Sequence, residues 1–82
     1  MTDSPTVLSG AEMLRLTFAS VHAFYASRGI VWNPAYYWAI VEKEDPHMPV
    51  VMFRSAYCAH RTFRDWQELE PDVYALLRVE EA

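Results

Sequence analysis

Cys58 and His60 are the pair in this sequence best suited to covalent chemistry. On an extended chain, residues two apart share a face. A thiol beside an imidazolium is held as the nucleophilic thiolate. Arg61 follows directly, so a small enzyme or ligand-binding protein using Cys58, His60 and Arg61 is one reading. Against it, catalytic Cys and His normally lie far apart in sequence, no oxyanion loop is evident, and a free Cys is a common small core residue. A metal site meets a similar shortage. Structural zinc takes four ligands, usually in paired short spacings. Cys58-x-His60 supplies one such spacing, and His22 and His47 read as unrelated histidines. The acidic residues gather in a central turn and at the C-terminus, as solvated faces do, and do not form a catalytic carboxylate pair. The expectation is no catalytic residue, no metal and no cofactor.

A second set is basic. Arg54, His60, Arg61 and Arg64 cluster in the second half with aromatics between them. Such a strip binds phosphate or single-stranded nucleic acid through charge and stacking. A nucleic-acid-contacting regulator using Arg54, Arg61 and Arg64 is therefore an alternative. It is opposed by the run Glu42-Lys43-Glu44-Asp45 one strand away, and by a net charge of −4, which repels phosphate.

The third set is aromatic and apolar. Tyr36, Trp38, Ile40 and Met52, with Arg54 and Glu42 near them, include the residue types enriched at interface cores and hot spots. They lie in the stretch Tyr36–Tyr57, which reads as an antiparallel hairpin. Two runs rich in Tyr, Trp, Ile, Val and Phe suit a pleated surface. Asp45-Pro46-His47-Met48-Pro49 between them reads as the turn. With Lys43 facing Val51, one face carries Tyr37, Ala39, Val41, Val51, Phe53 and Tyr57. The other carries Tyr36, Trp38, Ile40, Val50 and Met52. A hairpin apolar on both faces needs cover on both, from its own chain or from a partner. The expected function is that of a small acidic cytoplasmic protein-binding module. It would act as an inhibitor, immunity-type factor or regulatory adaptor through this patch, as a homodimer. C-terminal helices covering the same face would turn it into ordinary core.

Composition fits that reading. Of 82 residues, 52% are hydrophobic and 15% aromatic, which is generous for a domain with little interior. Residues 1–8 read as a loose arm and 9–82 as one small domain. One cysteine permits no internal disulfide and suits a reducing, cytoplasmic setting. The N-terminus carries no signal-peptide pattern, and no uncharged run is long enough to span a membrane.

The elements that must position these residues are read as an α+β fold. Ser9-Gly10-Ala11-Glu12 is a capping box opening a helix to Arg28, with Gly29 as its C-terminal cap. Met13, Leu14, Phe18, Val21, Phe24 and Tyr25 form its apolar face; Ala19, Ala23 and Ala26, with Leu16 beside them, form the opposite one. Ile30–Pro34 is a third short strand or a connector. The hairpin competes with a helix over residues 35–45, started by Asn33-Pro34. Thr62-Phe63-Arg64-Asp65 resembles a second capping box. One or two C-terminal helices follow, broken at Pro71, with Val73, Leu76 and Leu77 on their apolar side. Glu80-Glu81-Ala82 is expected to fray.

Overall fold

Thr17 starts the first helix. In the computed structural model, which describes residues 14–81, the Thr17 hydroxyl accepts from the Ser20 N–H at 3.1 Å, and the Ser20 hydroxyl accepts from the Thr17 N–H at 3.0 Å. This reciprocal box satisfies two otherwise unpaired donors. It opens α1, Phe18–Ala26. The capping box expected at Ser9–Glu12 lies outside the described residues, and Arg15 and Leu16 are extended rather than helical. The reason is a competing partner: the Leu16 carbonyl accepts from the Glu80 N–H at 2.8 Å. The end of α1 is as expected. Gly29 takes φ +74°, its N–H reaches Ala26 O, and the Ile30 N–H reaches back to Tyr25 O. This is a Schellman closure, which needs the left-handed conformation that glycine adopts at least cost.

Asn33-Pro34 makes a turn, not a helix start. The Asn33 side-chain oxygen accepts from the Ala35 N–H, its carbonyl accepts from the Tyr36 N–H, and the Trp32 indole N–H donates to Tyr36 O. Ile30–Pro34 is thus a connector and not a third strand. The chain then enters β1, Trp38–Glu42, and returns in β2, Asp45–Phe53. The hairpin is as expected, but its turn and register differ. The reversal is at Lys43-Glu44, and Glu42 pairs with Asp45. Pro46 and Pro49 lie within β2, which tolerates them because it is an edge strand. Two register irregularities flank Val41, and beyond them Ile40 pairs with Val51, Ala39 with Met52 and Trp38 with Phe53. Lys43 does not face Val51.

α2, Ala56–Leu69, starts earlier than Thr62. Ser55 is its N-cap, its hydroxyl accepting from the Cys58 N–H at 3.3 Å. The chain beyond it corrects the expected C-terminal helix. At Asp72 the backbone turns left-handed, φ +67°, which Asp tolerates better than most residues. Tyr74–Arg78 then forms β3, antiparallel to β1, giving the order β2-β1-β3. Leu76 and Leu77 favour helix intrinsically. The open edge of β1 overrides that preference, because β3 supplies partners for its backbone groups. Glu80 does not fray: Thr17 and Glu80 form a parallel bridge, and Arg15 pairs with the Glu80 carboxylate, Nε to Oε2 at 3.2 Å.

The sheet is covered on both faces by helices, and the fold is α+β. Ala39, Val41, Ala75 and Val79 form one buried cluster with Leu16, Val21 and Trp32, and Phe18, Tyr37, Met52 and Leu77 pack against it. Phe18 meets Trp32 edge to face at 5.1 Å. Leu16 is therefore core, while Ala19, Ala23 and Ala26 of α1 are exposed. Ile40, pointing to the other face, is wholly buried, as is Ala59 of α2. Trp38 meets His60 there at 5.2 Å, and Tyr74 meets Trp66 at 5.0 Å.

Candidate functional site

The register splits the expected aromatic patch. Residues directly opposite one another in neighbouring strands share a face. Met52, opposite Ala39, therefore packs on the α1 side, away from Trp38 and Ile40. Ile40 has no exposed surface, and Trp38 is half-buried against α2. The indole N–H of Trp38 is buried without a partner. That costs ~1–3 kcal/mol, which the burial of its ring and the His60 contact must offset. Of the residues singled out, Tyr36 and Arg54 meet at the surface: the Arg54 guanidinium lies 5.8 Å from the Tyr36 ring. Glu42 lies at the opposite end of β1.

The Cys58–His60 pair loses its geometric premise. Both residues are in the first turns of a helix, where positions two apart point in different directions. His60 turns toward the sheet. Its Nδ1 lies 2.8 Å from Ala56 O, a contact in which Nδ1 donates and the carbonyl accepts. Cys58 is exposed. Among the described residues, no three His, Cys, Asp or Glu side chains converge as a metal site would require. No helix among them is long and apolar enough to cross a membrane.

The outer side of α2 carries a different grouping. Ala56, Tyr57, His60, Arg61, Phe63 and Arg64 line an open groove of about 850 Å3. Tyr57 is 72% exposed, while Phe63 is half-buried and gives the groove an apolar side. Arg61 and Arg64, three apart, are neighbours on the helix surface. Both are exposed and form no ion pair among the described residues. Tyr36 and Arg54 belong to the same end of the molecule, since Trp38 is paired with Phe53 and meets His60 edge to face. Sequence reasoning found Arg54, Arg61 and Arg64 as a cluster. It missed Tyr57 as their exposed partner, because Tyr57 was assigned to a strand face and not to the helix that Ser55 starts.

No family model, curated protein or solved structure matches this chain.

Charge is segregated along the sheet. At the Trp38 end lie Arg54, Arg61 and Arg78, the last opposite Trp38 and 5.1 Å from the Tyr37 ring, together with Glu80, which pairs with Arg15, and Glu81. At the Glu42 end, roughly 13 Å away at ~3.3 Å per residue, lie Glu42, Glu44, Asp45, Glu70 and Asp72. The two turns are tied there by the Lys43 N–H to Val73 O and by Lys43 to Asp72 at 3.7 Å. Tyr74 sits among these carboxylates. Burial first, then the charges of Glu70 and Glu42, raise its hydroxyl pKa above the ordinary value of 10.0. The domain thus has a basic, aromatic end and an acidic end.

Proposed function

We propose that this is a small protein-binding module whose contact surface is the outer groove of α2, and that it takes an acidic segment of a protein partner. The observation that carries the reading is the grouping of exposed Tyr57 with Arg61 and Arg64, which form no ion pair among the described residues, beside a half-buried Phe63. Tyr and Arg dominate binding hot spots, because each combines apolar area with directed polar contacts. The Arg guanidinium forms two parallel hydrogen bonds to a carboxylate. Tyr36 and Arg54 extend the surface, and a module that occupies a partner through it would act as an inhibitor or adaptor. The single exposed thiol suits a reducing, cytoplasmic setting.

The test is a titration followed by backbone amide NMR, using an acidic peptide containing aromatic residues, its Lys-substituted counterpart, and a short single-stranded oligonucleotide. Shifts at Tyr57, Arg61 and Arg64 with the acidic peptide alone support the reading. Saturable shifts with the oligonucleotide would transfer the groove to nucleic acid, and shifts with no probe would remove the proposal.

A further inference from the structure

The two ends of this domain are complementary to each other, and nothing within one copy brings them together. Arg61 and Arg64 sit in the middle turns of α2, while Glu70 follows its C-terminus. At ~1.5 Å per residue, Arg61 and Glu70 are about 13 Å apart along the helix, so they cannot pair within a chain. Asp65 stands one helical turn after Arg61 and Glu68 one turn after Arg64, but no ion pair joins either couple among the described residues. At the far end Lys43 is the one cation facing Glu42, Glu44, Asp45, Glu70 and Asp72 among the described residues, and it reaches Asp72.

We infer that the basic α2 groove of one copy binds the acidic turn end of a second copy of this chain. The inference rests on the reading of that groove as a protein-binding surface and names one occupant. The acidic end consists of two short turns, Lys43-Glu44 and residues 70–73, and the groove it would meet is open to solvent. It brings several carboxylates to Arg61 and Arg64, and its rim carries Leu69, which is 80% exposed. Leu69 is an apolar contact for Tyr57 and Phe63. Used reciprocally, the same contact closes an antiparallel pair of copies. Exposed ion pairs are individually weak and screened by salt, so the association is of low affinity, reversible and competitive with any acidic partner.

The experiment is sedimentation velocity on the full chain, across protein concentrations up to ~1 mM, at low salt and at ~0.3 M salt, where the screening length falls well below 10 Å. Three proteins are compared: the parent, Arg61→Glu/Arg64→Glu, and Glu44→Lys/Glu70→Lys. Circular dichroism checks that each is folded. The parent gains mass with concentration at low salt and loses at least about tenfold in association constant at high salt. Each charge-reversed variant alone stays monomeric, and their equimolar mixture associates again, because each now offers the end that the other lacks. A parent that is monomeric throughout, association indifferent to salt, or a mixture that stays monomeric would overturn the inference. If a variant fails to fold, the salt dependence of the parent decides. Acidic-peptide shifts with a monomeric parent remove this inference and keep the groove as a binding site. Restored association in the mixture with no peptide shift keeps this inference and restricts the groove to a second copy of the chain.

Discussion

Ile40→Ala is the substitution that most directly separates a buried sheet face from an exposed binding patch. Ile40 lies in the central strand, has no exposed surface, and points to the face covered by α2. The change removes about three methylene equivalents at ~0.8 kcal/mol each, or roughly 2.4 kcal/mol of transfer free energy. The cavity adds to that, and measured large-to-small changes at such positions run ~2–5 kcal/mol. A loss of about 3 kcal/mol is therefore expected. A domain of this size holds on the order of 4–12 kcal/mol in total. At about 4–8 °C per kcal/mol, thermal unfolding followed by circular dichroism should fall by roughly 12–24 °C. Tyr36→Ala, four residues earlier in the chain and 39% exposed, should move the transition by no more than a few degrees, as surface changes do. If Ile40→Ala melts within about 3 °C of the parent, Ile40 does not carry the packing described, and the cover provided by α2 is wrong.

Two further perturbations test the devices that hold the ends of α1. Gly29→Ala meets no atom within 4 Å, so its cost is conformational rather than steric; at φ +74° it should destabilise the domain by ~1–2 kcal/mol, read as a lower urea midpoint with unchanged slope. The Glu80 carboxyl is held below its ordinary pKa chiefly by the hydrogen bond from Arg15, which outweighs the opposing desolvation, with the guanidinium's charge adding a lesser lowering. Because the folded value is the lower one, the stabilisation is present above the unfolded carboxylate pKa and is lost as pH falls through the folded value. Glu80→Gln should therefore flatten the acid side of a stability-versus-pH curve and leave the region above neutrality parallel to the parent, and an unchanged acid limb would show that the pair contributes nothing.

What the sequence disclosed depended on how local the governing interaction was. The Gly29 stop of α1 was legible because a left-handed residue after an apolar periodic run is a local signal. The hairpin was legible from its β-branched and aromatic runs. Its register was not, because two irregularities beside Val41 reset the pairing, and a shift of this kind redistributes side chains between faces. That is why Met52 was grouped with Trp38. β3 was illegible for a related reason. Tyr74–Arg78 has leucines that favour helix, and the demand for a strand comes from the edge of β1, about thirty residues away in sequence. The basic cluster survived these errors because Arg61 and Arg64, three residues apart, remain neighbours on a helix.

The same architecture explains why function is better sought on α2 than on the sheet. A three-stranded sheet with a helix on each face uses part of the aromatic content in packing, Trp32 against Phe18, Trp38 against His60 and Trp66 against Tyr74, while Tyr36 and Tyr57, with Met48 and Val50 of β2, stay exposed. β2 is a poor template for another strand, because Pro46 and Pro49 remove donors from the edge. What remains is the outward side of α2, whose exposed residues carry no packing duty. There Tyr57, Arg61 and Arg64 contribute little to folding, and their grouping around a groove is not required by the fold. Residues that stability does not need, arranged so that apolar and cationic groups converge, are the ones through which a small domain of this kind can bind another protein.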